Sequence, residues 1–378
     1  MAAKRATDEG GLMPDSASIL VFNSGSSSLK LGLFEKSNGV RSLFSGEASG
    51  VGRESGQLEL KDAAGKPLLQ EDHVIKSQEE ALEHLTSALR KHYTGSIAAV
   101  GHRVVHGGPK LREHVVITPD VMQQLEAAIH FAPLHIPEAL RIIRKSQELF
   151  PETPQVACFD TTFHRTMPEV ATHLPVPTRY YDAGIQRYGF HGLSCESVMS
   201  RIPAPVPEKI VIAHMGGGSS VTAVLNGASR DTSMGLSPTG GVPMSLRTGD
   251  LDPAILLYWM RTEKLSADAI ETMVNHECGL FALSNGESDM QALLQRSDAA
   301  ATLAIDVFVA GVRKAIGSYA AVLGGIDMLV FTGGIGEHAS SIRDRILSGM
   351  EFFGIKEVRV FAAEEEPQIA RHVLQLLP

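Results

Sequence analysis

Cysteine is scarce in this chain, with three in 378 residues and no C-x-x-C spacing, which excludes a disulfide framework or a thiolate metal centre. Cys158, Cys195 and Cys278 read instead as reduced, buried thiols of a cytoplasmic protein. No apolar stretch is long enough to span a bilayer, and residues 1–16 lack the apolar centre of a signal peptide, so they read as a disordered tail. Positive charge is also in deficit. The 34 Lys and Arg against 43 Asp and Glu leave a net charge of −9 without a basic block, so neither nucleic acid nor a membrane is an expected partner. Missing too are the G-x-x-x-x-G-K-[ST] loop and the G-x-G-x-x-G fingerprint, which disfavours P-loop and Rossmann nucleotide sites.

What remains is an ordinary globular composition, 43% hydrophobic and 20% charged, in a chain longer than one core usually organises. Strand-like runs alternate with amphipathic helical runs, an α/β signature. Residues 78–92 put Ala81, Leu82, Leu85 and Leu89 on one helical face, and Pro137 marks a helix start. Gln155 to Phe159 reads as a strand ending at Asp160. A long helix is expected from about Asp298 to Leu323, stopped by Gly324-Gly325. Asp252-Pro253 reads as an N-cap followed by proline at the first helical position.

Two stretches are versions of one another. Ile19-Leu-Val-Phe-Asn-Ser-Gly-Ser-Ser-Ser28 lies over Ile210-Val-Ile-Ala-His-Met-Gly-Gly-Gly-Ser219 without a gap. Each is an apolar strand, one polar residue (Asn23, His214), a Gly/Ser-rich turn and a second alternating run. Small residues at such turns let backbone N–H groups converge on an anion. A third phosphate or nucleoside candidate follows the strand Met328–Phe331, at the turn Thr332-Gly-Gly-Ile-Gly-Glu337, ahead of a helix carrying Ile342 and Ile346. His102 and His106 are four apart, but Val104-Val105 between them reads as strand and no H-E-x-x-H glutamate is present, so zinc is not expected.

The motifs Asn23-Ser-Gly-Ser-Ser-Ser-Leu-Lys30, Gly101-His-Arg-Val-Val-His-Gly-Gly108, Phe159-Asp-Thr-Thr-Phe-His164, Arg187-Tyr-Gly-Phe-His-Gly192, Asp231-Thr-Ser-Met-Gly235, Arg247-Thr-Gly-Asp-Leu-Asp-Pro253 and Phe331-Thr-Gly-Gly-Ile-Gly-Glu337 resemble the acetate kinase family, in its order, from about Ile19 onward. The resemblance implies a duplicated actin-like ATPase fold of the acetate and sugar kinase, heat-shock chaperone and actin superfamily, with two domains around a nucleotide cleft. The expected division is 17–163, joined by a C-terminal helix over 366–378, and 164–365. Also implied are transfer of the ATP γ-phosphoryl group to acetate, giving acetyl phosphate and ADP, dependence on Mg2+ (or Mn2+), a homodimer and a cytoplasmic location.

By the same resemblance Arg103 and Arg247 clamp carboxylate and phosphoryl group, His191 stabilises the transition state, and Asp160 belongs to the catalytic set. Because a carboxylate nucleophile needs no general base, Asp160 is read as positioning metal-bound water or Arg103. Val105, Leu134 and Pro238 lie where the family builds its methyl pocket. The ATP set is Lys30, the run His214, Met215, Gly216, Gly217 and Gly218, then Asp289, Met290 and Gln291, and finally Gly334, Ile335, Gly336, Glu337 and His338. Asn23 and, within Glu364-Glu-Glu366, Glu365 are assigned to the metal.

Four departures cluster here. Gly217 replaces an asparagine, Ser245-Leu246 replace glycine and threonine before Arg247, Gln291 replaces an arginine, and His338 replaces an asparagine. Two alternatives therefore stand beside acetate: propionate or butyrate as acceptor, and a nucleotide-binding sensor with weak turnover.

Overall fold

The computed structural model describes residues 18–25, 27–37 and 39–377; the expected tail lies outside the described residues. One sheet is built from β1 (Ser18–Ser24), β2 (Ser28–Ser37), β3 (Gly39–Ser49), β4 (Gln57–Asp62), β5 (Pro67–Asp72), β6 (Ile97–Val104), β7 (Val115–Val116) and β8 (Gln155–Phe159), in the order β5-β4-β3-β2-β1-β6-β8-β7. The other contains β9 (Lys209–Met215), β10 (Ser219–Leu225), β11 (Ala228–Thr232), β12 (Met328–Thr332) and β13 (Glu357–Val360), in the order β11-β10-β9-β12-β13.

The duplication seen in the residues is a duplication of topology. β1 runs antiparallel to β2 and parallel to β6, which is parallel to β8. β9 repeats this with antiparallel β10 and parallel β12, which is parallel to β13. The central strands β1 and β9 are apolar on both faces because helices cover both sides, as parallel pairing demands. Each ends at a hairpin of small residues, so the two Gly/Ser turns project from corresponding strand ends.

Local sequence signals account for the covering helices. Ser77 caps Gln78–Arg90, whose Ala81, Leu82, Leu85 and Leu89 are buried. Asp252 accepts a hydrogen bond from the Ala254 N–H with Pro253 next to it, as its sequence indicates. Asp298 caps Ala299–Leu323, and Gly324, at φ +68°, ends it.

The expected turn after β12 is a different structure. Gly333 turns the corner at φ +77°, where a Cβ would stand 2.7 Å from the Met215 carbonyl oxygen, and Gly333–His338 then wind into a short helix. A second helix, Ser340–Leu347, buries Ile342 and Ile346. The last helix runs Glu365–Leu376 rather than from residue 366, and lays Ile369, Ala370 and Val373 on Ile19, Val21, Val156 and Cys158 of the first sheet. Gly101 makes that approach possible, since a Cβ there would meet Ile369 at 2.6 Å. Among the described residues no helix is long and apolar enough to cross a membrane.

His102 and His106 hold no common ligand position. His102 Nε2 pairs with Gln155 Oε1 at 2.8 Å, whereas His106 Nδ1 accepts the Gly108 N–H and packs its ring against Phe131, Tyr188 and Phe190. Burial lowers His102 and His164 to about 4, and His106 and His135 to about 3, from 6.5. A depressed imidazole contributes stability that is complete above 6.5 and is lost as pH falls toward the folded value. Asp160, lifted to about 6 by burial, acts in the opposite sense, as do the raised carboxyls of Glu366 and Asp231. Burial also depresses His114, His191 and His214, however, so the histidines outnumber them. Stability to urea is therefore expected to fall steeply from pH 6.5 to 4, by about 1.4 kcal/mol per pH unit for each proton of net uptake on unfolding. A flat profile of urea midpoints over that range would contradict these burials.

Candidate active site

The carboxyl ends of β1, β6 and β8 and the hairpin of β9 and β10 open on one cavity of about 800 Å³. At its floor lies a connected polar network. Asp160 follows β8, is fully buried, and accepts from Arg103 at 2.5 Å (Nη2 to Oδ2) and 3.1 Å (Nε to Oδ1). Arg103 Nη1 donates to the Ser24 carbonyl at 3.0 Å and to Asn23 Oδ1 at 3.4 Å. The Asn23 amide donates onward to Glu365 Oε2 at 2.9 Å and Glu366 Oε1 at 2.6 Å. A C-terminal helix is thus tied to the first strand of the chain at the cleft.

Burial opposes the Arg103 charge, but Asp160 and Glu365 outweigh it and raise its pKa. Desolvation lifts Asp160 against the pull of the same arginine. Burial also works against ionised Glu365, yet Arg103 and His214 hold it below its ordinary value. Glu366 is raised by burial, against Lys30 and with Glu365 adding to the rise. Lys30 sits opposite Asn23 in the hairpin register, and although burial pulls it down, Glu366, Glu47 and Glu365 raise its pKa. Its ammonium answers these carboxylates rather than lining the cavity. Glu364 turns away to Arg201, at 3.3 Å.

Asn23, Glu365 and Glu366 present hard oxygen atoms, and two carboxylates crowd one amide. That donor chemistry fits a divalent cation such as Mg2+. Of the run Glu364-Glu-Glu366 the sequence favours Glu365 alone, because three adjacent glutamates carry no signal for which face of the helix each takes; Glu366 stands beside it at Asn23.

Across the cavity His191 stands at φ +58°, just ahead of the Gly192–Arg201 helix. The Gly192 N–H donates to the Asp160 carbonyl at 2.8 Å, which locks the His191 backbone to Asp160. The His191 ring stacks on His214, with centroids 4.2 Å apart, and its Nδ1 lies 3.0 Å from Ser220 Oγ. Burial, then His214, Arg103 and Arg247, keep it neutral far below its usual pKa.

Arg247 lines the same space. Burial and then Arg103 lower it to about 10, so it remains cationic at neutral pH. Its Nη1 donates to the Pro238 carbonyl at 3.3 Å, and among the described residues no carboxylate pairs with it. A Cβ built on Gly218 would stand 3.2 Å from His191 Nε2 and 3.4 Å from Arg247 Nη1. The glycine hairpin, the imidazole and the unpaired guanidinium therefore converge on one point.

Val105, Leu134 and Pro238 line the cavity near this point, with Val105 packed against Phe190, Met234 and Met244. Gly216, Gly217, Gly218, Asp289, Met290, Gln291, Gly334, Ile335 and His338 line the same cavity. Asp289 also caps a helix by accepting the Ala292 N–H. Besides Lys30, four nucleotide candidates sit otherwise. Met215 is wholly buried in the core under the second sheet, His214 lies under His191 and bonds Ser194, Gly336 is buried, and Glu337 accepts the Ala363 N–H at 2.8 Å. His135, Glu138, Arg53 and Asn275 line the cavity as well, without any sequence pattern that marks them.

The Acetokinase family profile matches residues 18–368. An acetate kinase of Thermoanaerobacterium thermosaccharolyticum is 41% identical over 354 residues, 89% of this chain and 88% of that protein. Among solved structures, an acetate kinase of Porphyromonas gingivalis aligns with a TM-score of 0.83 at 33% identity, covering 96% of this chain and all of that one. A propionate kinase of Francisella tularensis aligns with a TM-score of 0.86 at 34% identity over the same shares.

Asp160→Ala removes the carboxylate that Arg103 hydrogen-bonds in a buried setting and leaves it, among the described residues, only the longer carboxylate contact to Glu365, at 3.9 Å. The expected cost is about 3 kcal/mol, the lower end for a broken buried pair because Arg103 keeps a window on the cleft. Urea unfolding at pH 7 measures it; a change below about 1 kcal/mol would mean the network carries no such load.

Proposed function

The chain belongs to the acetokinase family, and from that premise we propose that the cleft transfers the γ-phosphoryl group of ATP directly to acetate, giving acetyl phosphate and ADP. The observation that carries the reading is the convergence of the Gly216–Gly218 hairpin, His191 Nε2 and Arg247 Nη1 on one point. A bond forms between an acetate oxygen and the γ-phosphorus while the bond to the bridging oxygen breaks, its electron pair leaving on ADP. No proton has to move. The residues are asked to position two anions and to stabilise charge on the equatorial oxygens.

Within this reading the two arginines differ. The Arg103 fork is occupied by Asp160, so it offers charge and one remaining Nη2 hydrogen. Arg247 keeps most of its five donors and is the group suited to a bidentate grip on an anion. His191, neutral and oriented by Ser220, serves as a hydrogen-bond donor through Nε2. Asp160 acts by holding Arg103. The acetate methyl is assigned to Val105, Leu134, Pro238 and Phe190.

Backbone N–H groups of Gly217, Gly218, Gly334 and Ile335 are assigned to phosphates, the Gly216 N–H being held within the hairpin by the Gly218 carbonyl, with Asp289 to Gln291 and His338 toward the nucleoside. Asn23, Glu365 and Glu366 would hold Mg2+, which neutralises phosphate charge. Lys30 acts from behind them, and Glu337 anchors the start of the helix that carries the two glutamates. A division near residue 163, a cytoplasmic location and a homodimer belong to the same proposal. Leu257, Tyr258 and Met260, exposed on the Pro253–Arg261 helix, supply an apolar surface of the kind a dimer covers.

Trapping acyl phosphate as hydroxamate, with MgATP and acetate, propionate or butyrate, tests the activity. Acetate is expected to give product, and Arg247→Ala to lower kcat about a hundredfold or more. Turnover only with a longer acid would move the acceptor to that acid. MgATP binding without any product would favour the sensor.

Gly217 gives a second test. A Cβ there would meet nothing within 4 Å, so an amide can be restored. Gly217→Asn is expected to lower KM for ATP by about 2- to 12-fold, the value of one hydrogen bond, with kcat little changed. A rise in KM would place that amide away from the phosphates.

A further inference from the structure

Arg247 sits at the end of a tight turn whose residues 245 and 246 differ from the family pattern, yet the guanidinium reaches the cavity. The Met244 N–H donates to the Arg247 carbonyl at 3.1 Å and closes the turn. Its remaining carbonyls are all taken by one short segment. The Leu280 N–H donates to Met244 at 2.9 Å, the Phe281 N–H to Ser245 at 3.0 Å, and the Cys278 N–H to Leu246 at 3.0 Å. Gly279 stands in the middle of these donors at φ +61°. A Cβ there would lie 2.1 Å from the Met244 carbonyl oxygen and 2.7 Å from that of Arg247. Leu280, with no exposed surface, anchors the segment in the core that also contains Met215 of β9.

We propose that Gly279 is a positioning residue for phosphoryl transfer: by admitting the 244–247 turn against the N–H groups of Cys278, Leu280 and Phe281, it fixes where the Arg247 guanidinium stands. The proposal rests on the reading of Arg247 as the charge-stabilising group. The grip is made only to backbone carbonyls, which every residue type offers, so serine and leucine at 245 and 246 leave it intact. A residue with a Cβ at position 279 must push the turn away and carry Arg247 with it. A shift of about 1 Å at such a group is enough to lower the rate about a hundredfold.

A double-mutant cycle with Gly279→Ala and Arg247→Ala tests this, using kcat from acyl phosphate trapping, KM for ATP and the thermal midpoint. Gly279→Ala is expected to lower kcat at least about tenfold with KM for ATP changed less than about twofold. In the Arg247→Ala background it is expected to lower kcat no further. A fall by the same factor in both backgrounds would show a general structural role and overturn the proposal, as would wild-type kcat in Gly279→Ala. Wild-type kcat in Arg247→Ala would instead remove the parent reading, and is seen independently of position 279.

Should Gly279→Ala fail to fold, Phe281→Pro keeps the glycine and deletes the N–H that holds the Ser245 carbonyl, in the first helical turn where proline is tolerated. Phe281→Ala, which loses the same half-buried ring but keeps that N–H, is its control. The same non-additive loss, smaller in size, is expected; full kcat would overturn the proposal.

Discussion

The Arg103–Asp160 pair is the contact on which the cleft depends. A buried ion pair gains little net stability, because desolvating two charges offsets most of their attraction. Losing one partner is costly, however, and here the pair has further attachments. Arg103 reaches the Ser24 carbonyl and Asn23 at the end of β1, while the Asp160 carbonyl accepts the Gly192 N–H beside His191. Asn23 in turn holds Glu365 and Glu366 from the last helix. One pair therefore sets the relative places of the first strand, the last helix and the histidine on the opposite wall.

That arrangement separates two tasks that arginine can perform. Arg103 spends its fork on the protein itself, whereas Arg247 among the described residues donates only to the Pro238 carbonyl and lines the cleft. Their mutual repulsion, which contributes to lowering Arg247, is the electrostatic consequence of placing two guanidinium groups on one site. An anion entering between them relieves it. The acidic net charge of the chain is no obstacle, since the carboxylates at the site are engaged by Arg103, Asn23 and Lys30, which leaves Arg247 and the hairpin N–H groups to face an anion.

Much of the fold was legible because period and punctuation agreed. The repeated strand–turn–strand runs from Ile19 and Ile210 became corresponding hairpins in two sheets, and Asp298 with Gly324 bounded the long helix. The turn after β12 was misread because glycines in Gly-Gly-Ile-Gly lower helix propensity, while the N–H groups exposed by the Gly333 corner favoured a helical turn locally. The site residues could be named from motif resemblance, and holding Arg103 was one of the two roles that a carboxylate nucleophile leaves to Asp160. No pattern says that Glu364 turns to Arg201 while Glu365 and Glu366 meet Asn23. Gly279 escaped because its effect is exerted through backbone contacts 32–35 residues away.

The departures at 217, 245 and 246 fall where side chains contribute least to the scaffold. Gly217 faces space, and the Ser245-Leu246 carbonyls rather than their side chains are gripped. The central claim is that Arg103 stays locked while Arg247 receives the transferring group. A crystal structure with MgADP, acetate and a planar metal-fluoride mimic of the phosphoryl group tests it most directly. The account predicts fluoride within hydrogen-bond distance of Arg247 and His191 Nε2, with the Arg103–Asp160 pair intact. An Arg103 released from Asp160 to clamp the mimic, with Arg247 still turned to Pro238, would contradict it.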